Sequence, residues 1–374
     1  MTARYLLLFL ALTVFLFPSY SRDINTAIDQ LYNFQISESI NTLERMALDY
    51  PEDPLIPFLR ISAYWQRSLL YDNPESSYEV IKDGIRRAVP FYIDMIEKYP
   101  ENQRYNLFLG SLYGLKARIN LAQSEWMSLV ISGSKGFKYI SDAIKNDSSL
   151  YDAYMPIGTL EYFLCRSNPA LQIVGEMFGL ESDCKEAINK LEIASEKAEY
   201  SWVEARNVLS YIYLYIERDY RKAFDHSRSL TESFPGHPFF LYLEAESLIK
   251  LREYEKFENI ENTLIGFYEE GPPNQKSECH DKYLYLSALR AFQEEKYQLA
   301  IELSSEVIDG YSTEFQWVLG YAHLIRGKSI EIMGDRAMAI MDYRYAVRYL
   351  DNYPDKDDAQ ALIFSSISEI SRSR

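Results

Sequence analysis

Helix-ending residue pairs recur along this chain at a spacing that leaves room for two helices each time. They are Tyr50-Pro51, Tyr99-Pro100, Asn146-Asp147, Glu199-Tyr200, Phe234-Pro235, Glu270-Gly271, Gly310-Tyr311 and Tyr353-Pro354, 35 to 53 residues apart. Proline has no N–H and clashes with a preceding helical turn, so it ends one helix and opens the next. Between these stops the apolar residues follow the helical period. Ile40, Leu43, Met46 and Ala47 form one such stripe, Ala187, Ile188, Leu191 and Ala194 a second, and Ala339, Ile340, Tyr343 and Ala346 a third. No stretch alternates apolar and polar residues between turn signals, so no strand is predicted. Only 15 Gly and 14 Pro occur in 374 residues. That scarcity argues against a turn-rich all-β fold and against Gly-rich loop chemistry. Repeats of this length imply stacked helix pairs, each buried against its neighbours.

Several units resemble the tetratricopeptide repeat. That motif places a large residue and Leu-Gly-x-x-Tyr on its first helix, and a small residue, an aromatic and Ala on its second. Leu109, Gly110 and Tyr113 fit the first pattern; Gly327, Gly334, Asp335, Ala339, Tyr343 and Ala346 fit the whole spacing of the last unit. Ala223 to Pro235 and the stretch around Ala300 resemble second helices, while Ile157 and Gly158 fit but Glu161 stands where Tyr is expected. The units near Arg60 and Phe257 are degenerate, and the resemblance covers about 23–354. The stretch Leu109 to Tyr254 is also similar to exported bacterial repeat proteins related to the eukaryotic Iml2-type tetratricopeptide family of the mitochondrial outer membrane. Gly133, Gly136, Tyr139, Tyr151, Tyr154, Gly158, Glu204, Ala205 and Leu209 carry that likeness. Units here average about 44 residues, longer than the 34 of the motif. The expected fold is therefore all-α: a right-handed α-solenoid of about eight antiparallel helix pairs, some with lengthened helices. Length alone would suggest two or three domains. A solenoid instead makes 22–374 one continuous domain, with an insertion near 168–183. That insertion is expected to be buried as a plug; the alternative is that Ile173, Val174, Met177 and Phe178 face a partner.

Residues 1–21 read as a secretory signal peptide. Arg4 precedes an apolar run from Tyr5 to Phe17 broken only by Thr13, then Pro18 and a small-x-small site ending at Ser21. Thirteen apolar residues fall short of the roughly 20 that span a bilayer. No Cys lies near the site, which argues against a lipid anchor. The expected location is periplasmic or extracellular. Three cysteines, Cys165, Cys184 and Cys279, are too few for a disulfide scaffold. Free buried thiols are the favoured reading, with a Cys165–Cys184 bond across the insertion as the alternative.

The search for chemistry returns little. His226, His237, His280 and His323 form no zinc-like pair at ligand spacing, and no nucleophile-elbow, P-loop or dinucleotide motif occurs. Gly133 and Gly136 are read as a helix crossing rather than a phosphate loop. A net charge of −16 argues against nucleic acid, whose binders carry a basic excess. No cofactor and no enzyme activity are expected. The remaining signal is aromatic: 32 Tyr, 19 Phe and 4 Trp. Tyr211, Tyr213 and Tyr215 alternate on one helix and cannot share a face. In the register that the resemblance implies, a concave groove is lined by Arg104, Ser111, Asp152, Thr159, Tyr162, Asn207, Tyr211, Tyr215, Lys282, Tyr285, Gln293, Tyr321 and Lys328. Leu107 and Met155 occupy the positions where a subclass of the family has a clamp for terminal carboxylates, which argues against that subclass. The expected function is an exported, non-enzymatic interaction or scaffold protein binding an envelope protein or peptide segment. The alternative is a glycan-binding or uptake accessory protein on the same kind of helices.

Overall fold

A computed structural model of the chain describes residues 20–177, 179–311 and 316–364. The signal-peptide expectation lies outside these residues except at Tyr20 and Ser21. Both belong to the first helix, and the Tyr20 hydroxyl donates to Asp53 at 2.6 Å. No strand occurs among the described residues. The helices are α1 (20–32), α2 (Ile36–Asp49), α3 (Leu55–Tyr71), α4 (Pro74–Lys98), α5 (Arg104–Ala122), α6 (Trp126–Asn146), α7 (Tyr154–Cys165), α8 (Pro169–Met177), α9 (Cys184–Lys197) and α10 (Trp202–Tyr211). They continue with α11 (Tyr220–Ser233), α12 (Pro238–Lys250), α13 (Tyr254–Glu270), α14 (Pro273–Gln293), α15 (Tyr297–Gly310), α16 (Trp317–Ile332), α17 (Arg336–Tyr349) and α18 (Asp355–Phe364). Successive helices pair antiparallel, with α8 inserted between α7 and its partner α9 and α18 closing the series. The chain divides into two compact units, one ending at Val208 and one beginning at Leu209.

Within a pair, small residues bring backbone against backbone. A Cβ on Gly110 of α5 would lie 2.5 Å from Ile140 Cγ1 and 2.8 Å from the Gly136 carbonyl of α6. A Cβ on Gly158 of α7 would lie 2.9 Å from the Ala187 carbonyl of α9, and one on Gly327 of α16 would lie 2.8 Å from the Tyr343 ring of α17. Gly136 therefore does sit at a crossing. Gly133 does not: nothing lies within 4 Å of where its side chain would be. Glu161, at the departure from the motif, is buried and ion-paired with Lys190 of α9 at 2.6 Å.

Asp and Asn side chains start many of the helices. Asn73 accepts from the Ser76 N–H ahead of α4, Asp219 from Lys222 ahead of α11, and Asp335 from Met338 ahead of α17. The turns from first to second helix share a second device. Phe34, Ser124, Arg218, Arg252, Glu295 and Gly334 all have positive φ. In most of them the next N–H bonds five residues back, as in Glu125 to Asn120 (2.7 Å), Lys296 to Ala291 (2.9 Å) and Asp335 to Ile330 (3.1 Å). This is the Schellman closure, and it favours glycine at the positive-φ position.

The insertion departs from expectation. Cys165 and Cys184 are bonded, with Cα atoms 5.5 Å apart, so two of the three cysteines are not free thiols. Cys279 is a buried free thiol, its pKa pushed up to about 12 by burial. The bond joins the end of α7 to the start of α9 and holds α8 between them. Gly175 packs on Leu164 and Gly179 on the Phe137 ring. Yet Ile173 is 60% exposed and Met177 81%, so this helix is not a buried plug. A nine-residue helix with one face on Leu164 has no second layer to cover its other side. The Val174 and Phe178 side chains lie outside the described residues.

Two outcomes follow for stability. Glu295→Gly removes left-handed strain and is expected to raise unfolding free energy by about 1 kcal/mol, while Gly334→Ala lowers it by a similar amount; paired denaturant titrations measure both. The untreated chain is expected to weigh about 2 Da less than the reduced one by intact mass. Reduction removes a cross-link over 19 residues and costs about 3 kcal/mol of stability.

Candidate functional site

In unit two, the first helices of successive pairs aim their side chains at a common centre. The widened turn Ile212–Ile216, a π-helix continuing α10, separates the three alternating tyrosines. Tyr213 stacks on His226 of α11, 5.7 Å between ring centres. Tyr211 and Tyr215 turn the other way, 5.0 Å from each other. Tyr215 then meets Trp317 (4.8 Å) and Tyr321 (5.9 Å) of α16, and Tyr321 meets Tyr285 (6.1 Å) of α14. Tyr353, just before α18, contacts both Tyr215 and Tyr321 and hydrogen-bonds Tyr211.

Glu246 of α12 organises this cluster. It is 2% exposed and accepts the Tyr215 hydroxyl on Oε2 and the Tyr285 hydroxyl on Oε1, each at 2.6 Å. Burial raises its carboxyl above the ordinary value; Lys250 and the two hydroxyls oppose that shift without cancelling it. Burial, followed by the nearby carboxylate charge, pushes both tyrosines well above the ordinary phenol range. Tyr321 donates to Asp355 of α18 at 2.9 Å. Lys328 of α16 is half-buried, and desolvation with the neighbouring Lys250 charge lowers its pKa.

Of the sequence-derived groove residues, Tyr211, Tyr215, Tyr285, Tyr321 and Lys328 meet at this centre. The centre is not an open groove, however. Tyr215, Tyr285 and Tyr321 are buried, because their rings pack on one another and their hydroxyls are taken by Glu246 and Asp355. The other candidates lie elsewhere. Lys282 pairs with Glu278 at 2.7 Å and sits 4.2 Å over the Phe239 ring; Gln293 accepts the Tyr254 hydroxyl. In unit one, Tyr162 is fully buried and offers no surface. Asp152 is also buried, because it accepts the backbone N–H groups of Tyr200 and Ser201 at 2.8 and 2.7 Å. Arg104 pairs with Glu199, and the Ser111 and Thr159 hydroxyls bond back to Leu107 and Met155 of their own helices. Asn207 is half-buried. Glu246, Trp317 and Tyr353 were missed. Glu246 had a signal: an acid inside the apolar run from Phe239 to Leu251 needs partners once it is buried.

Unit one carries a different surface. First helices of stacked pairs run in one direction, so their turns into second helices share an edge. On that edge Tyr71, Leu121, Val130, Ile131 and Phe163 are exposed, with Trp126 at 63% and Met127 at 77%. The disulfide-held α8, between the end of α7 and the start of α9, adds exposed Leu171, Ile173 and Met177. These exposed apolar side chains make the edge a candidate interaction surface. Among the described residues, no three His, Cys, Asp or Glu side chains are arranged to hold a metal, and no helix is long and apolar enough to cross a membrane.

No protein-family model and no curated protein matches the sequence. Several solved structures do. Yeast Tom70 aligns at TM-score 0.38 and 12% identity, covering 94% of this chain and 89% of that one. The C-terminal part of a TPR repeat-containing protein from Cytophaga hutchinsonii aligns at 0.29 and 14%, covering 90% and 98%. The P58(IPK) TPR domain aligns at 0.25 and 15%, covering 95% and 99%.

The buried carboxyl has a measurable consequence. Its folded pKa lies above the unfolded value near 4.5, so the folded state binds more protons there and stability falls as pH rises through that window. Glu246→Gln lacks this contribution. The melting-temperature difference, wild type minus variant, is therefore expected to shrink as pH rises from about 4 to 8, measured by scanning fluorimetry.

Proposed function

We propose that this chain is an exported, non-enzymatic interaction protein of the cell envelope. It docks a partner protein on the apolar turn edge of unit one. The observation that carries this reading is the exposure of Trp126, Met127, Ile131, Ile173 and Met177 together on one edge. Burying such a surface against a partner removes large apolar area from water, with Trp as the strongest anchor. The Cys165–Cys184 bond supports export, since such bonds persist in oxidising compartments. The leader-like run Tyr5 to Phe17 supports it too. The centre of unit two is less suited to a docking role in its present state, because its aromatic faces are spent on one another.

The test is Trp126→Ser combined with Met127→Gln and Ile131→Ser. These side chains are exposed, so helicity is expected to be unchanged. Partner recovery after crosslinking in the native envelope is expected to fall at least tenfold, a loss of about 1.4 kcal/mol or more. Undiminished recovery with intact helicity would remove the edge from consideration.

A further inference from the structure

We propose that the centre of unit two is a recognition site for an acidic peptide segment, and that the chain's own residues 353–358 now occupy it. Arg218, at the turn into α11, reaches Asp358 at 2.9 Å and Asp355 at 3.6 Å. Tyr321 adds a hydrogen bond to Asp355, and Tyr211 bonds Tyr353. An aromatic followed by spaced aspartates, Tyr353-Pro354-Asp355-Lys356-Asp357-Asp358, is thus held by an Arg and two tyrosines drawn from the first and last pairs of the unit.

Two lysines of the site are left without a partner in this segment. Lys250 and Lys328 form no ion pair or hydrogen bond among the described residues, and Lys250 instead sits over the Tyr220 and Tyr321 rings at 5.6 and 5.5 Å. Neither Asp355 nor Asp358 reaches either ammonium closely enough to pair. Asp357 is exposed and engages none of them. A segment of the same kind with denser or better-placed acids would therefore gain contacts that the chain's own segment leaves unmade. Charge complementarity selects an acidic peptide, and the rings select an aromatic beside it. Tethering gives the internal segment a millimolar effective concentration, so an outside segment competes best once the internal one is loosened.

The experiment uses the full chain and a labelled synthetic peptide of residues 351–364, followed by fluorescence anisotropy. Asp355→Asn with Asp358→Asn loosens the internal segment, and this variant is expected to bind the peptide at least tenfold more tightly than the unaltered chain. Adding Arg218→Gln, which removes the cation that both aspartates reach, is expected to abolish that gain, and a peptide with Asn at all four Asp positions is expected not to bind. Equal affinity for variant and unaltered chain, or binding indifferent to Arg218, overturns the proposal. If circular dichroism shows that the double variant unfolds, excess peptide is added to the unaltered chain and amide exchange is read over 355–364. Faster exchange supports displacement of the segment, and unchanged exchange at millimolar peptide overturns it.

Discussion

Close backbone contact between the two helices of a pair is the interaction on which the rest of this structure depends. Gly110 against Gly136, Gly158 against the Ala187 carbonyl, and Gly327 against Tyr343 each leave no room for a side chain. At such a distance dispersion contacts run along both helices, and the large neighbours Ile140, Leu191 and Tyr343 close the gap beside the crossing. Each pair then stacks on the next, with a shared core such as the one from Ile24 to Ile119 running through several helices, so the fold grows by addition. The left-handed turn residues are the corresponding cost: a chain reversing within three residues after a full helix needs positive φ, and five of the six positions bear it without glycine.

The two units put this framework to different uses. In unit two, the side chains aimed at the centre are long and aromatic, and they meet. Burying so many phenols requires acceptors, because an unpaired buried hydroxyl is costly. Glu246 and Asp355 supply them, and Tyr353 completes the packing from the start of the last segment. In unit one, the polar candidates are consumed locally, Asp152 by backbone amides and Arg104 by Glu199. Apolar residues collect instead at the turn edge, where α5 closes with Leu121, α6 opens with Trp126 and the disulfide holds α8 between α7 and α9.

Much of the architecture was legible because proline and small residues act locally. Tyr50-Pro51, Tyr99-Pro100 and Phe234-Pro235 stop helices through their own backbone chemistry, and each stop lies where a second helix ends. Gly110 and Gly327 mark crossings because nothing larger fits. The turns at Ser124, Arg252 and Glu295 were invisible, since residues of no special preference there are held in place by the helices on either side. The periodic register brought Tyr211, Tyr215, Tyr285, Tyr321 and Lys328 to one place, but periodicity gives direction without depth. Whether those residues line a groove or fill it depends on Glu246 and on a segment more than a hundred residues away in sequence. The exposure of Ile173 and Met177 was equally hidden, because a short apolar helix looks the same in sequence whether or not a second layer covers it.

Hydroxyl-radical footprinting of the chain, purified and then in its native envelope, tests the central assignment most directly. Protection is expected at Trp126, Met127 and Met177 in the envelope, with Tyr215 and Tyr285 unreactive in both states. Equal labelling of Trp126, Met127 and Met177 in the two states would contradict the assignment of the turn edge as the docking surface.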